Sequence, residues 1–159
     1  MKTNNVTRLL DQRKIAYTAH ELPVEKLGAI EAARIMNVSP SLVYKTIVVV
    51  RLEKGKPILA LTPGDRDVDL KALAAALGEK KLQLPTEREA ERLTGLQAGG
   101  ISPLALLKRG FQVVIDESAR LLPQIFVSAG QRGLNISLSP ADLAALTNAG
   151  FAPISRDSG

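Results

Sequence analysis

One lysine lies inside the most apolar segment of the chain, and its position is the first to indicate chemistry. Residues 42–50 are rich in β-branched side chains and predict a strand in which Lys45 has apolar neighbours on both faces. An edge strand, with the ammonium group extending into solvent, explains this arrangement equally well. The functional interpretation is a lysine aimed into a cleft, where a phosphate or a polarised ester carbonyl offsets the cost of removing the charge from water.

A glycine-rich turn is the second candidate site. Gly99 and Gly100 allow the backbone to approach a ligand, and Ser102 with Pro103 is typical of a helix start whose free N–H groups can bind an anion. An ordinary turn before an ordinary helix has the same composition, and the residues alone favour that interpretation. The spacing differs from that of a P-loop or a dinucleotide-binding fingerprint, so nucleotide triphosphate and NAD binding gain little support.

A polar turn at residues 128–133 is the third candidate. It begins with the hydroxyl group of Ser128 at the end of a predicted strand and contains Gly130 and Gly133. In isolation the pattern is that of a hairpin whose glycines adopt positive φ, and this is the simpler explanation. His20, on an earlier predicted strand, is interpreted as a hydrogen-bonded polar residue rather than as a catalytic one.

The composition excludes several classes of chemistry. The chain has no cysteine and one histidine, so thiol nucleophiles and disulfides are excluded, and a zinc site or a serine–histidine mechanism has little support. We therefore expect no metal and no cofactor. The net charge of +5 permits a polyanionic partner without requiring one. Only three phenylalanines and two tyrosines are present, so RNA contacts would depend on salt-sensitive phosphate binding rather than on base stacking.

The elements that must position these residues follow from cap residues and apolar spacing. Helices are predicted to begin after Asn4 or Asn5, near Leu27, and after Asp69, Thr86 and Ser139, with a short one from Pro103 to about Lys108. Strands are predicted at 15–22, 42–50, 57–62, 112–116, 124–128 and 134–138.

Helices and strands thus alternate, but the connections are too short for a purely parallel sheet. A tight turn at 53–56 predicts that the two strands around it pair antiparallel. We predict one α+β domain over residues 1–159, with a mixed, mostly antiparallel, curved or barrel-like sheet surrounded by helices. Residues 156–159 are expected to fray. No segment approaches the roughly 18 uninterrupted apolar residues of a membrane span, and we expect a cytoplasmic protein.

Taken in order, the three candidate sites and their neighbours resemble the YbaK family. This family comprises free-standing aminoacyl-tRNA deacylases and is similar to the editing domain of bacterial prolyl-tRNA synthetases. The resemblance is carried by Val43-Tyr44-Lys45-Thr46, by Leu93-Thr94-Gly95 with Gly99-Gly100-Ile101-Ser102-Pro103-Leu104, and by Phe126-Val127-Ser128-Ala129-Gly130-Gln131-Arg132-Gly133-Leu134.

The resemblance implies a role for each of these motifs in cleaving the ester of a mischarged tRNA. Lys45 corresponds to the lysine that is essential for activity, and Thr46 lies beside it in the substrate site. Gly99 and Ser128 match positions that bind the aminoacyl-adenosine end. We extend the substrate-binding prediction to their neighbours Gly100, Ile101 and Gly130.

The best-known substrate of the family is Cys-tRNA(Pro), whose thiol is thought to attack its own ester. Near the first strand, however, this chain reads His20-Glu21-Leu22-Pro23-Val24 where the family commonly has His-x-Tyr-x-His. One wall of the pocket is therefore altered, so cysteine, serine, threonine and alanine remain open as the amino acid removed. Attack by the substrate thiol and attack by water also remain open. Aminoacyl-tRNA is the expected partner and prolyl-tRNA synthetase a further candidate; the alternative is a non-catalytic adaptor that binds tRNA or a synthetase.

Overall fold

The structure, a computed structural model, describes residues 3–158 as a mixed α+β fold. The α-helices are α1 (Asn5–Gln12), α2 (Ala29–Met36), α3 (Leu70–Leu77), α4 (Glu87–Thr94) and α5 (Pro140–Thr147). The strands are β1 (Tyr17–Glu21), β2 (Tyr44–Arg51), β3 (Ile58–Pro63), β4 (Arg66–Val68), β5 (Leu82–Gln83), β6 (Gln112–Asp116), β7 (Ile125–Ser128), β8 (Leu134–Leu138), β9 (Gly150–Ala152) and β10 (Ser155–Asp157). Short 3₁₀ helices cover Pro40–Leu42, Pro103–Leu106 and Glu117–Leu121.

Side-chain caps fix where most helices begin, and they confirm the helix starts predicted from sequence. Asn4, Asp69, Thr86 and Ser139 each accept a hydrogen bond from a backbone N–H in the first turn of α1, α3, α4 and α5. The second helix differs, because its N-cap is Gly28 and no side chain caps it. It ends at Asn37 in the left-handed conformation.

The strands form three sheets with mostly antiparallel pairing. A five-stranded sheet has the order β5-β2-β3-β6-β9, a three-stranded sheet has the order β1-β8-β7, and β4 pairs with β10. Within residues 3–158, β3 pairs with β6 and β6 with β9 in parallel, and the predicted antiparallel pairing of β2 with β3 is confirmed. A parallel bridge between Val43 and Phe126 links the two larger sheets.

Two apolar cores cover the two faces of the five-stranded sheet. The larger core lies between this sheet, the three-stranded sheet, α1 and α5, and includes Leu61, Ile115 and Ile136. The smaller core packs α3 on the opposite face, where Leu73 contacts the group containing Ile58 and Ala60. Because both faces of the sheet are covered, the residues on both faces of β3 are buried. This strand therefore lacks the alternation of buried and exposed residues that is typical of a half-exposed strand.

The predicted α+β class is confirmed, whereas the barrel-like form of the sheet is not, and the C-terminal segment differs from its prediction. Among the described residues the hydrogen-bonded strands do not close into a barrel. The C-terminal segment was expected to fray, but Ser155–Asp157 forms β10 along β4; Gly159 lies outside the described residues. Within residues 3–158, no helix is long and apolar enough to cross a membrane.

Candidate active site

A pocket of about 330 Å³ lies where several parts of the chain meet. Its walls come from the β1–α2 connection, the N-terminal part of α2, the beginning of β2, the loop at 98–101 and the strands β7 and β8. The lining residues are Leu22, Glu25, Lys26, Leu27, Gly28, Ala29, Ala32, Val43, Tyr44, Lys45, Thr46, Ala98, Gly99, Ile101, Ser128, Gly133 and Asn135. Its volume falls in the usual range of about 300–1,000 Å³ for small-molecule sites.

Lys45 lines this pocket from the second residue of β2. Antiparallel pairing places it opposite Thr62 of β3, whose side chain is fully buried. The Lys45 ammonium nitrogen lies 3.7 Å from a carboxylate oxygen of Asp67, and 28% of the lysine side chain is exposed. This one long contact leaves the ammonium group with donors that a ligand could use.

The glycine loop contributes Gly99 and Ile101 to the lining, whereas Gly100 is not among the lining residues. Gly99 adopts a φ of +89°, which favours glycine, and a Cβ there would lie 3.4 Å from the Lys26 Cα. A Cβ at Gly100 would lie 2.8 Å from the carbonyl carbon of Gln131. Gly100 therefore allows two loops to pack together, and its contribution to the pocket is indirect.

In the third predicted turn, likewise, one predicted residue lines the pocket and another does not. Ser128 lines the pocket, and its hydroxyl oxygen accepts a hydrogen bond of 3.4 Å from the Gly130 N–H. Gly130 is not a lining residue: its φ is +93°, and a Cβ would lie 2.8 Å from the Ala105 Cβ. It therefore packs against the 3₁₀ helix at Pro103–Leu106. Thr46 does line the pocket, with a hydroxyl oxygen that is buried without a hydrogen-bond partner.

Sequence reasoning missed the polar side chain on β8 that lines the pocket. Asn135 pairs directly with His20 of β1 and with Ser128 of β7, and it is only 8% exposed. Leu134 and Ile136 point into the larger core, so Asn135 points away from it. A polar residue that interrupts the apolar run 134–138 was the available signal.

Tyr44 was also missed as part of the site. It is almost fully buried, and its hydroxyl oxygen lies 2.7 Å from that of Ser118. Ser118 in turn donates to the Asp116 carboxylate at 2.5 Å, and Asp116 accepts the backbone N–H of Ile154. Burial raises the pKa of Tyr44, so its hydroxyl group stays protonated at neutral pH. This chain of hydrogen bonds fixes the backbone immediately before Lys45.

His20 takes the polar structural position expected from the sequence. Its Nε2 atom lies 3.0 Å from the Ser137 hydroxyl oxygen, and its ring lies 5.1 Å from that of Phe126, centroid to centroid. Burial lowers its pKa. His20 is not one of the residues that line the pocket. In the described part of the chain, no group of three or more His, Asp or Glu side chains is arranged to hold a metal ion.

A mixed sheet with a lysine- and glycine-lined pocket is the arrangement that the resemblance to aminoacyl-tRNA editing domains predicted. The profile of the aminoacyl-tRNA editing domain matches residues 24–146, which include the whole lining of the pocket except Leu22. The chain belongs to this family, as the resemblance to YbaK proteins predicted.

Individual relatives agree with this assignment. A protein of Enterococcus faecalis, EbsC, described as a candidate Cys-tRNA(Pro)/Cys-tRNA(Cys) deacylase, is 36% identical over 94% of this chain and 92% of its own length. The proline–tRNA ligase of Aquifex aeolicus is 32% identical over 55% of this chain, which corresponds to 15% of that enzyme.

Solved structures share the fold. The crystal structure of a protein described as a candidate trans-editing enzyme for prolyl-tRNA synthetase superimposes with a TM-score of 0.78, at 26% identity and full coverage of both chains. A hypothetical protein, APE2540, has a TM-score of 0.86 at 23% identity over 96% of this chain and 100% of its own.

Proposed function

We propose that this chain is a trans-editing aminoacyl-tRNA deacylase, a single domain spanning residues 1–159 that cleaves the ester of a mischarged tRNA. The observation that carries the proposal is the convergence of Lys45, Gly99 and Ser128, which are far apart in the sequence, on one pocket. Family membership supports the reaction class, and the name of EbsC supports Cys-tRNA(Pro) as a substrate to test first. Such an activity belongs in the cytoplasm, where charged tRNA is used.

Lys45 is the proposed catalytic residue. Its ammonium group is partly removed from water and has one carboxylate neighbour at 3.7 Å, so it can donate to the ester carbonyl oxygen as negative charge develops there. Interactions of this kind, aimed at developing charge, commonly contribute about 10²–10³-fold to a rate.

The remaining pocket residues are proposed to hold the substrate. Gly99 and Ile101 bring main chain close to the ligand, the Ser128 hydroxyl group supplies a hydrogen bond for the ribose or the ester, and Thr46 contacts the substrate as part of the wall beside Lys45. Gly100 and Gly130 support these contacts by letting their loops pack closely. Holding the ester beside Lys45 in this way provides catalysis by proximity.

Two attacking groups fit this arrangement. Water attack on the carbonyl carbon breaks the bond to the ribose oxygen, which leaves with its electron pair, takes a proton and releases a free amino acid. With a cysteine ester, the substrate sulfur forms the new bond instead, loses its proton to the departing oxygen and yields a cyclic thioester. The pocket lining includes no histidine, so substrate-assisted attack is consistent with the site.

The decisive experiment measures deacylation of one tRNA charged in turn with cysteine, serine, threonine or alanine. Lys45→Met keeps much of the side-chain length and removes the charge, so we expect kcat/KM to fall at least about 100-fold. Lys71→Met, an exposed lysine at the start of α3, is the matched control and should retain the wild-type rate. Wild-type activity in Lys45→Met would remove Lys45 from the mechanism.

The same assay separates catalysis from mere binding. An adaptor would bind charged tRNA in a salt-sensitive manner without accelerating loss of the ester. Similarity to part of proline–tRNA ligases makes that enzyme the proposed partner to test, by adding it to the reaction and measuring whether kcat/KM rises. Salt-dependent binding with no acceleration for any of the four esters would favour the adaptor.

A further inference from the structure

The beginning of α2 opens onto the pocket without a side-chain cap. Gly28 and Ala29 line the pocket, and no side chain accepts a hydrogen bond from the first-turn N–H groups of this helix. The backbone angles of Gly28 (φ −75°, ψ 165°) are close to those of Thr86 (φ −67°, ψ 162°), which does cap its helix. The conformation for a cap is therefore present, and only the capping oxygen is missing. Free donors and the helix dipole favour an electronegative group at this point.

A second, independent feature of the same pocket also lacks a partner. The Asn135 side chain lines the pocket, the residue is 8% exposed, and its amide makes no hydrogen bond with any other residue from 3 to 158. Among the described residues, the side-chain oxygens that are fully buried without a partner are those of Thr46 and Thr62, so the Asn135 amide keeps some accessible surface in the pocket and is open to a ligand. Asn135 offers both an acceptor and donors.

The charged groups nearby do not occupy the helix terminus. Glu31, in the first turn of α2, forms a salt bridge with Arg34 on the exposed surface. Lys26 is paired with Glu87 of α4. Glu25 also lines the pocket, but it does not cap the helix. The backbone donors thus remain available to a ligand.

We propose that the N-terminus of α2 and the Asn135 side chain form one subsite, which receives a thiol or hydroxyl group at the end of the esterified amino acid's side chain. The backbone N–H groups donate to the sulfur or oxygen of that group, and the Asn135 amide oxygen accepts a hydrogen bond from its S–H or O–H. Alanine offers neither partner and leaves both features unpaired. This inference rests on the proposed deacylase function and selects, among the four amino acids left open by the sequence, those that carry a thiol or a hydroxyl group.

The first test supplies the missing cap from within the protein. Nothing lies within 4 Å of a Cβ at Gly28, so Gly28→Asp fits, and its carboxylate should occupy the α2 donors. We expect the melting temperature to rise or hold, while kcat/KM for the cysteine and serine esters falls about tenfold or more. Gly150→Asp adds the same charge at an exposed position with open space around it and serves as the control. Its rates should equal those of the wild type.

The second test removes the amide. Asn135→Leu preserves the approximate size of the side chain but cannot hydrogen-bond, so the cysteine and serine esters should lose about tenfold relative to the alanine ester. Asn135→Asp retains the acceptor and should keep part of the preference. Circular dichroism and the alanine rate show whether each variant is folded.

The outcomes separate this inference from the function on which it rests. Wild-type cleavage with no preference for thiol or hydroxyl side chains, together with an unchanged rate in Gly28→Asp, would overturn the subsite and leave the deacylase intact. Failure of the wild-type protein to cleave any of the esters would overturn both.

Discussion

The pocket and a second hollow on the same molecule differ in how their cations are held. The second hollow, of about 570 Å³, lies beside the far end of β2 and is lined by Val50, Arg51, Gly55, Pro57, Gln83, Leu84, Pro85, Thr86, Glu89 and Leu93. The arginine in this hollow has several partners: Arg51 donates a hydrogen bond to the Glu79 carboxylate at 2.6 Å and also donates to the Lys56 carbonyl and the Gln112 side chain. Lys45 has only the 3.7 Å contact with Asp67.

Unpaired polar groups, rather than volume, distinguish the candidate active site from the second hollow. The second hollow is larger, yet its cation already has the hydrogen bonds it needs, so a ligand would have to compete with the protein for it. The smaller pocket contains Lys45, Thr46 and Asn135, which all lack strong partners. Unpaired groups weaken the fold unless a ligand binds them, which is typical of functional sites.

Exchanging each cation for methionine gives the largest expected contrast. Arg51→Met leaves the half-buried Glu79 carboxylate without its partner, and we expect the free energy of unfolding to fall by about 2 kcal/mol. Its kcat/KM, corrected for the folded fraction, should stay near the wild-type value. Lys45→Met should do the reverse, with a stability change below about 1 kcal/mol because its ion pair is partly exposed. Urea unfolding and the deacylation assay measure the two quantities; loss of activity in Arg51→Met at full folding would refute the contrast.

A substitution in the glycine loop tests whether the pocket depends on loop packing. Gly100→Ala would push the 98–101 loop away from the Gln131 backbone, so we expect kcat/KM to drop about tenfold along with roughly 1–3 kcal/mol of stability. Gly78→Ala, at a left-handed position with open space, should cost about 1 kcal/mol without affecting the rate. Equal rates in the two variants would show that Gly100 does not support the site.

The smallest expected effect is a pH dependence of the stability, which arises from His20, a residue outside the pocket lining. Burial lowers the pKa of His20 in the folded chain, so the unfolded chain binds its proton more readily. Stability from this residue is therefore full above its unfolded pKa of about 6.5 and declines as the pH falls towards the folded value. Because the chain has a single histidine, melting temperatures of His20→Gln between about pH 7.5 and pH 5.5 should fall less than those of the wild type. Parallel declines would contradict this prediction.

Local sequence signals predicted most of the fold because caps and turns act over a few residues. Helix α3 lies between its caps Asp69 and Gly78, as predicted. Helix α5 begins at Pro140, after the cap Ser139, also as predicted. The missed strands β4, β5, β9 and β10 have two or three residues each, too few for a periodic pattern. They form because long-range partners are available: β10, for example, pairs with β4.

The candidate site was predictable only in part, again because contacts between distant segments of the chain cannot be read from local sequence. Lys45 was identifiable because a charge in an apolar strand is locally anomalous. Gly100 and Gly130 were assigned to the ligand, although glycine is required there by neighbouring chain segments that only the structure brings together. Asn135 and the α2 terminus were missed because their significance is the absence of a partner, which a sequence cannot display.

The C-terminal strand has an electrostatic consequence far from its place in the sequence. In β10, Arg156 pairs with Asp67 of β4, and Asp67 is the carboxylate nearest to the Lys45 amine. Substitutions that separate β10 from β4 would free the backbone around Asp67 and shift its carboxylate relative to the Lys45 amine. Residues 155–157 therefore help to position the carboxylate beside the proposed catalytic lysine.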